Sequence, residues 1–164
     1  MDDLILFTDG SVNPRSNVGY GAYLAVPEDE LSKEELSMDC LGAGVKVKKF
    51  EQTSSTKLEL QTLLWALSDI QALGCRVRVY TDSQNIIGLQ GRRDRLEQND
   101  YRSKKNKRIR NYRLYREFYR MTDQLSCCFV KVRGHKVSYQ KDEMDRLFTL
   151  VDRASRNALR RDKC

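Results

Sequence analysis

Two short apolar segments, each followed by an aspartate, constrain the fold more than any other feature of this sequence. Residues 4–8 and residues 76–81 have the length and apolar character of strands, and a polar position ends each of them. Between them, apolar residues recur with helical spacing from Thr56 until Gly74, which fits a position just beyond a helix C-terminus. A strand, a helix and a returning strand predict a parallel crossover connection.

The rest of the chain supplies further strands and helices. Strands are predicted at residues 4–8, 19–26, 45–50, 76–81 and 127–132. Helices are predicted at residues 56–73, 82–91, 109–125 and 141–160. Residues 27–38 are acidic and polar, which indicates a loop insertion with one helical turn at residues 33–36. We therefore predict an α/β fold in which a five-stranded mixed sheet, three antiparallel and then two parallel strands, is flanked by helices.

Composition limits the setting in which this fold operates. A chain of 164 residues with 40% hydrophobic content can bury one sizeable core, so we expect a single domain over residues 1–164. Its apolar runs are far shorter than the roughly 20 residues of a membrane span, and its acidic start is unlike a secretory signal. The five cysteines lack metal-site spacing, and Cys127 and Cys128 are expected to be packing residues. We expect a cytoplasmic monomer with no membrane partner.

Positive charge is concentrated in one part of the chain. The formal net charge is +7 and the isoelectric point is near 9.2, which favours an anionic partner without distinguishing nucleic acid from a ribosome or a membrane surface. Residues 84–120 hold twelve basic and four acidic side chains, so this segment carries the excess. Its most basic part, residues 92–110, is too charged to be core.

Three carboxylates occupy positions from which they could converge. Asp9 and Asp82 each follow a predicted strand, and Glu59 is the only acid in an otherwise apolar helical stretch. Taken singly, Asp9 could be a turn residue, Asp82 a helix cap, and Glu59 a first-turn acid that interacts favourably with the helix dipole. Together at one sheet edge they would repel each other unless cations neutralised them, and an oxygen-only ligand set selects Mg²⁺ or Mn²⁺. The pattern predicts a two-metal hydrolytic site.

The ordered set of motifs resembles type 1 ribonucleases H over residues 4–160. The matching segments are Asp9-Gly10-Ser11, Gly19-Tyr20-Gly21-Ala22, Leu58-Glu59-Leu60, Thr81-Asp82-Ser83-Gln84, Gly134-His135 and Val151-Asp152-Arg153-Ala154. The resemblance implies a ribonuclease H-like fold and a metal-dependent endonuclease that cuts the RNA strand of RNA–DNA hybrids, leaving 3′-hydroxyl and 5′-phosphate ends. Any one motif alone is a weak signal.

The same resemblance assigns catalytic roles. It implies that Asp9, Glu59, Asp82 and an aspartate of the final helix hold two Mg²⁺ ions, with Mn²⁺ as a substitute, and that His135 assists proton transfer or product release. Asp152 is preferred as the fourth carboxylate because small residues follow it as they do in the family. Asp145 stays open as the alternative, because it stands ten residues after His135, a spacing common in the family.

Substrate contacts are also implied by the resemblance. Asn13 and Gln84 match positions that contact ribose 2′-hydroxyls, residues 54–57 match a pocket for a DNA phosphate, and residues 92–110 resemble a basic handle that holds the duplex. Hydroxyls and a lysine replace the family's amide and arginine in the pocket, and the handle lacks tryptophan. The expected nucleic-acid-binding residues are Gly10, Ser11, Asn13, Ser55, Thr56, Lys57, Ser83, Gln84, Arg92, Arg93, Lys104, Lys105 and Lys107.

Three other functions compete with hybrid cleavage. A catalytically inactive hybrid-binding module would keep the fold but would not need mutually repelling acids. A DNA-directed nuclease of the same superfamily would share the acids but would not need Asn13 and Gln84. A basic RNA-associated protein without catalysis would explain the charge alone.

Overall fold

Five strands and five helices make up the part of the chain described here. The computed structural model describes residues 3–31, 42, 44–70, 74, 76–133 and 142–162. The strands are β1 (Leu4–Asn13), β2 (Val18–Pro27), β3 (Lys46–Phe50), β4 (Val77–Thr81) and β5 (Cys127–Lys131). The helices are α1 (Glu28–Leu31), α2 (Ser55–Ile70), α3 (Gln84–Gln98), α4 (Tyr112–Gln124) and α5 (Glu143–Arg161).

The strands form one mixed sheet in the order β3-β2-β1-β4-β5. β2 pairs antiparallel with both β1 and β3, whereas β4 pairs parallel with both β1 and β5. The predicted arrangement of three antiparallel and two parallel strands is therefore confirmed, and so is the crossover between β1 and β4.

The central strand β1 contributes to both faces of the sheet. Successive strand residues point to opposite faces, so Leu4 and Leu6 pack in a core with α2, α3 and α4. Ile5 and Phe7 pack in a second core under α5. Because all four side chains are at most 5% exposed, the segment has the continuous apolar character of a strand covered on both sides.

Side-chain caps mark the starts of three helices. Ser54 Oγ accepts the backbone N–H of Lys57 at 3.3 Å at the start of α2. Ser83 caps α3 by accepting the N–H of Ile86, and Asp142 and Asp145 form a reciprocal capping box on α5. These caps supply partners to N–H groups that have none within the helix.

Several boundaries differ from the predictions. β1 continues through Asp9 to Asn13 because β2 pairs with it over this whole length, so Asp9 lies within a strand and the turn comes at residues 14–17. Helix α3 extends to Gln98, where Leu96 packs against the core, so the predicted end at residue 91 was wrong.

The cysteine prediction was half right. Cys127 packs against the core, but Cys128 is exposed because alternate residues of β5 face outward. Tyr115 and Tyr119 are buried, and Tyr112 is partly buried. Within the described residues, no helix is both long and apolar enough to span a bilayer.

Candidate active site

Three of the predicted carboxylates line one small depression. Asp9, Glu59 and Asp82 surround it together with three threonines, Thr8, Thr62 and Thr81. Phe7 of β1 stands beside Tyr80 of β4 in the parallel register, so Asp9 and Asp82 each lie two residues further along neighbouring strands. Glu59 enters from the first turns of α2, which packs on the same strands. The convergence predicted from the sequence is therefore present.

Asp9 is the most perturbed acid of this group. Burial, followed by the nearby charge of Asp82 and a hydrogen bond with Asp152, raises the pKa of Asp9 from 3.8 to about 9, while a hydrogen bond from the Gly10 backbone opposes the increase. A buried carboxyl that faces two others favours its neutral form until a cation balances the charge.

Glu59 is held in place by a neighbouring hydroxyl. Ser83 Oγ donates a hydrogen bond of 2.6 Å to Glu59 Oε2. Burial raises the pKa of Glu59, the Ser83 hydrogen bond lowers it and the charge of Asp82 raises it further. Ser83 was predicted to contact nucleic acid, but it is only 3% exposed and its hydroxyl also accepts the Ile86 N–H at 3.2 Å. Its position makes it an internal support of Glu59.

The two aspartates considered for the fourth position have different partners. Asp152 hydrogen-bonds to Asp9 and forms an ion pair with Arg156 at 3.0 Å. Asp145 is buried near the other end of α5, where its carboxylate accepts the Asp142 backbone N–H at 3.2 Å. The structure thus brings Asp152 to Asp9 and uses Asp145 in a helix cap.

The chemistry of this donor set suits a hard divalent cation. All the converging groups are carboxylate or hydroxyl oxygens, which are the ligands that Mg²⁺ and Mn²⁺ prefer, and the Thr62 Oγ1 atom in the same depression is buried without a hydrogen-bond partner. As the side chains of the described residues stand, no three His, Cys, Asp or Glu groups form a compact metal-binding arrangement. Ser83 donates to Glu59 Oε2 and Arg156 pairs with Asp152 Oδ1, so a bound cation would share Glu59 with Ser83 and Asp152 with Arg156.

Two amide side chains predicted to contact ribose lie near the ends of their elements. Asn13 ends β1, and its Oδ1 accepts the backbone N–H of Arg15 at 3.0 Å. Gln84 opens α3, and its Oε1 accepts a hydrogen bond of 2.5 Å from Lys131 Nζ. Sequence reasoning did not identify Lys131, because nothing in the local sequence links residues 47 positions apart.

The other residues predicted to contact nucleic acid near the carboxylates differ in exposure and in the contacts that they make within the protein. Ser55 and Thr56 are exposed on the first turn of α2, and Lys57 Nζ donates to the Gln52 carbonyl at 3.0 Å. Ser11 Oγ lies 3.1 Å from Ser155 Oγ. A Cβ at Gly10 would stand 2.8 Å from a Leu58 methyl carbon, which explains the glycine by packing. Gly134 and His135 lie outside the described residues.

The predicted basic segment divides into two parts. Arg92 and Arg93 lie on α3, where Arg92 donates to Asn85 Oδ1 at 2.6 Å and Arg93 forms ion pairs with Asp123 and Glu97. Arg93 is thus paired with two acids, whereas Arg92 uses one guanidinium nitrogen on a neutral residue, and their role on the nucleic acid stays a prediction.

The second part of the segment is a short turn that we call the basic hairpin, residues 102–108. Tyr101, 6% exposed, anchors it in the core, and an antiparallel bridge joins Arg102 to Arg108. Asp100 Oδ2 accepts a hydrogen bond of 3.1 Å from Arg108. The lysines predicted to bind nucleic acid are exposed at its tip, at positions Lys104, Lys105 and Lys107.

The fold and the depression define a class of protein, the α/β nucleases that gather carboxylates on a mixed five-stranded sheet. A family model described as RNase H matches residues 1–152, and the chain belongs to this family of hydrolytic enzymes. It is similar to the ribonuclease H of Moorella thermoacetica, with 28% identity covering 99% of this chain and 97% of the relative. The ribonuclease H of Syntrophomonas wolfei is 27% identical, with coverages of 90% and 94%.

Solved structures support the same fold. The foamy viral protease-reverse transcriptase in complex with dsDNA matches with a TM-score of 0.63 and 9% identity, covering 94% of this chain and 93% of that chain. The same viral protein in complex with an RNA/DNA hybrid gives a TM-score of 0.60 and 10% identity, covering 94% of this chain and 20% of that chain.

Proposed function

We propose that this chain is an endonuclease that hydrolyses the RNA strand of RNA–DNA hybrids, using two Mg²⁺ ions, and leaves 3′-hydroxyl and 5′-phosphate ends. The observation that carries the proposal is the gathering of Asp9, Glu59, Asp82 and Asp152 around one site in a ribonuclease H family member. The names of its relatives and the hybrid bound by one structural neighbour support the choice of substrate.

Each carboxylate has a proposed role as a ligand. Asp9, with Asp82 and Asp152 close to it, would hold the cations together with Glu59. Its raised pKa favours the protonated form in the absence of a cation, so binding would displace that proton. Bound there, two such cations would supply activation of the attacking water and stabilisation of the leaving oxygen of a phosphodiester. Ser83 holds Glu59 in position. His135 is proposed to assist proton transfer or product release.

Substrate recognition is proposed to use two surfaces. Asn13 and Gln84 contact ribose 2′-hydroxyls, which distinguish RNA from DNA. Ser55, Thr56 and Lys57 bind a phosphate of the DNA strand, and the basic hairpin attracts the duplex through its charge. Ser83 and Arg93 are excluded from these surfaces because their polar groups are already paired.

A cleavage assay on matched duplexes tests the proposal. Purified protein is incubated with labelled RNA–DNA, RNA–RNA and DNA–DNA duplexes of one sequence, with and without Mg²⁺. We expect Mg²⁺-dependent cutting of only the RNA strand of the hybrid, lost in Asp9→Asn and Asp152→Asn. Asp145→Asn serves as the matched control on the same helix and should retain cleavage once its lower stability is accounted for.

Three outcomes would overturn parts of the proposal. Hybrid binding without cleavage in either Mg²⁺ or Mn²⁺ would leave a binding module as the better account. Cutting of the matched DNA duplex would indicate a DNA-directed nuclease. Loss of cleavage in Asp145→Asn but not in Asp152→Asn would reverse the assignment of the fourth carboxylate.

A further inference from the structure

Lys131 makes a contact at the rim of the carboxylate site that the proposed mechanism does not use. It is the last residue of β5 and pairs with Thr81 in the parallel register. Gln84 follows Thr81 by three residues and opens α3. The two side chains meet there, with Lys131 Nζ donating to Gln84 Oε1 at 2.5 Å.

This contact determines which end of the Gln84 amide faces outward. A lysine ammonium group has three donors and no acceptor, so only the amide oxygen can face it. The amide nitrogen therefore points away from Lys131, and within the described residues it makes no hydrogen bond. Two N–H donors are left for a ligand.

Asn13 is oriented in the same sense by a different partner. Its Oδ1 accepts the backbone N–H of Arg15 at 3.0 Å, and a backbone N–H is also only a donor. The Asn13 amide nitrogen likewise makes no hydrogen bond to the described residues. Both amides proposed to contact ribose thus use their oxygens inside the protein, and neither amide nitrogen donates to another described residue.

We propose that Lys131 is a positioning residue that fixes Gln84 as a hydrogen-bond donor, so that Asn13 and Gln84 recognise ribose through the 2′-oxygen as an acceptor. The inference rests on the proposed function of hybrid cleavage. An unconstrained glutamine amide could present either end to a 2′-hydroxyl, which donates and accepts. Fixing the amide beforehand removes that ambiguity and part of the entropy lost on binding.

The test compares substrates that differ by a single oxygen atom. Hybrids carrying one 2′-deoxynucleotide at successive positions around the cleavage point are cut by wild-type protein, and kcat and KM are measured for each. One or more positions should show a deoxy penalty that disappears in Gln84→Ala. We expect Lys131→Met to reduce that penalty about three- to tenfold, the effect of losing one hydrogen bond, mainly through KM, and Lys131→Arg to restore it.

Two further variants separate positioning from simple charge. Gln84→Glu keeps a partner for Lys131 but has no N–H donors, so it should lose the penalty as fully as Gln84→Ala. The double variant Lys131→Met/Gln84→Ala should resemble Gln84→Ala alone, because the two residues act through one contact. Thermal unfolding of each variant verifies that it is folded.

Distinct results would overturn the inference. If Lys131→Met keeps the full deoxy penalty at the Gln84-dependent position, the lysine does not position the amide. A uniform loss over all substrates that vanishes at high salt would make Lys131 a phosphate-facing cation only. If wild-type protein cuts no hybrid at all, the proposed function fails instead.

Discussion

A single hydroxyl, that of Ser83, links helix geometry to the chemistry of the site. It accepts the Ile86 N–H to cap α3 and donates to Glu59, which belongs to a different helix. A group used in both directions fixes the distance between the two elements. The serine position is therefore more constrained than an ordinary helix cap.

Replacing Ser83 by alanine tests this double role. Loss of the cap and of the hydrogen bond to Glu59 should lower the free energy of unfolding by about 1–3 kcal/mol. The pKa of Glu59 should also rise, because the hydrogen bond that opposes the increase is removed. Urea denaturation and carboxyl titration by NMR measure the two effects. Ser83→Thr keeps a hydroxyl and should lose much less, and equal losses in both variants would contradict the assignment.

Asp9 should make the metal-free protein less stable as pH rises. The folded-state pKa is raised, so the folded protein binds a proton that the unfolded chain releases at pH values between 3.8 and about 9. The free energy of unfolding therefore falls with increasing pH across this window. Asp9→Asn should lack the fall and, at pH 8 in a chelator, be more stable than wild type by at least about 1 kcal/mol.

Denaturant unfolding at several pH values measures this difference. Asp123→Asn is a suitable comparison, because Arg93 lowers the pKa of Asp123 and its replacement should not stabilise the protein. Equal pH dependence in wild type and Asp9→Asn would show that Asp9 does not keep its proton in the folded protein over this range.

At the scale of elements, the approach of α2 to the sheet depends on a glycine. A Cβ at Gly21 in β2 would stand 2.1 Å from Thr62 Oγ1 in α2, far closer than atoms can pack. The helix that carries Glu59 can lie at its observed distance from β2 only because no side chain intervenes at this position.

Gly21→Ala should push α2 away from the sheet and destabilise the protein by about 1–3 kcal/mol, as overpacking generally does. It should also weaken metal binding, because Glu59 moves with the helix. Thr62→Ala removes the closest atom and should recover part of the stability in the double variant. Thermal unfolding and calorimetric Mn²⁺ titration follow the two effects, and an undisturbed Gly21→Ala protein would contradict the packing argument.

The sequence predicted elements better than contacts. Short apolar or alternating runs predict all five strands, but the extension of β1 past Asp9 depends on pairing with β2, to which residues 9–13 themselves give little clue. Likewise, Asp145 and Asp152 share a helix pattern, and the structure separates them by the contacts of Asp145 with Asp142 and by the approach of Asp152 to Asp9. Ser83, Arg156 and Lys131 gain their roles from partners that tertiary structure or side-chain orientation selects.

For the whole molecule, binding of nucleic acid depends more on which cationic side chains are not paired with acids than on the total positive charge. Arg93 is bound to Asp123 through both terminal nitrogens, whereas the lysines of the basic hairpin are exposed. Only cations that can reach phosphate release counterions on binding.

Salt titration of hybrid binding separates the two kinds of cation. Replacing Lys104, Lys105 and Lys107 by glutamine should weaken binding and reduce the slope of log affinity against log salt by up to about 3. Arg93→Gln also removes a positive charge, but it should leave the slope almost unchanged while lowering the free energy of unfolding. An identical reduction per charge in both variants would show that Arg93 also reaches the nucleic acid.

The outer strand β3 bears on how the protein behaves when crowded. It borders the sheet on one side, four of its five residues are exposed, and three of those are Lys46, Lys48 and Lys49. An open strand offers unpaired backbone groups to another copy, but closely spaced like charges make two such edges repel. The same lysines that add to the positive charge of the protein therefore discourage two copies from pairing edge to edge and aggregating.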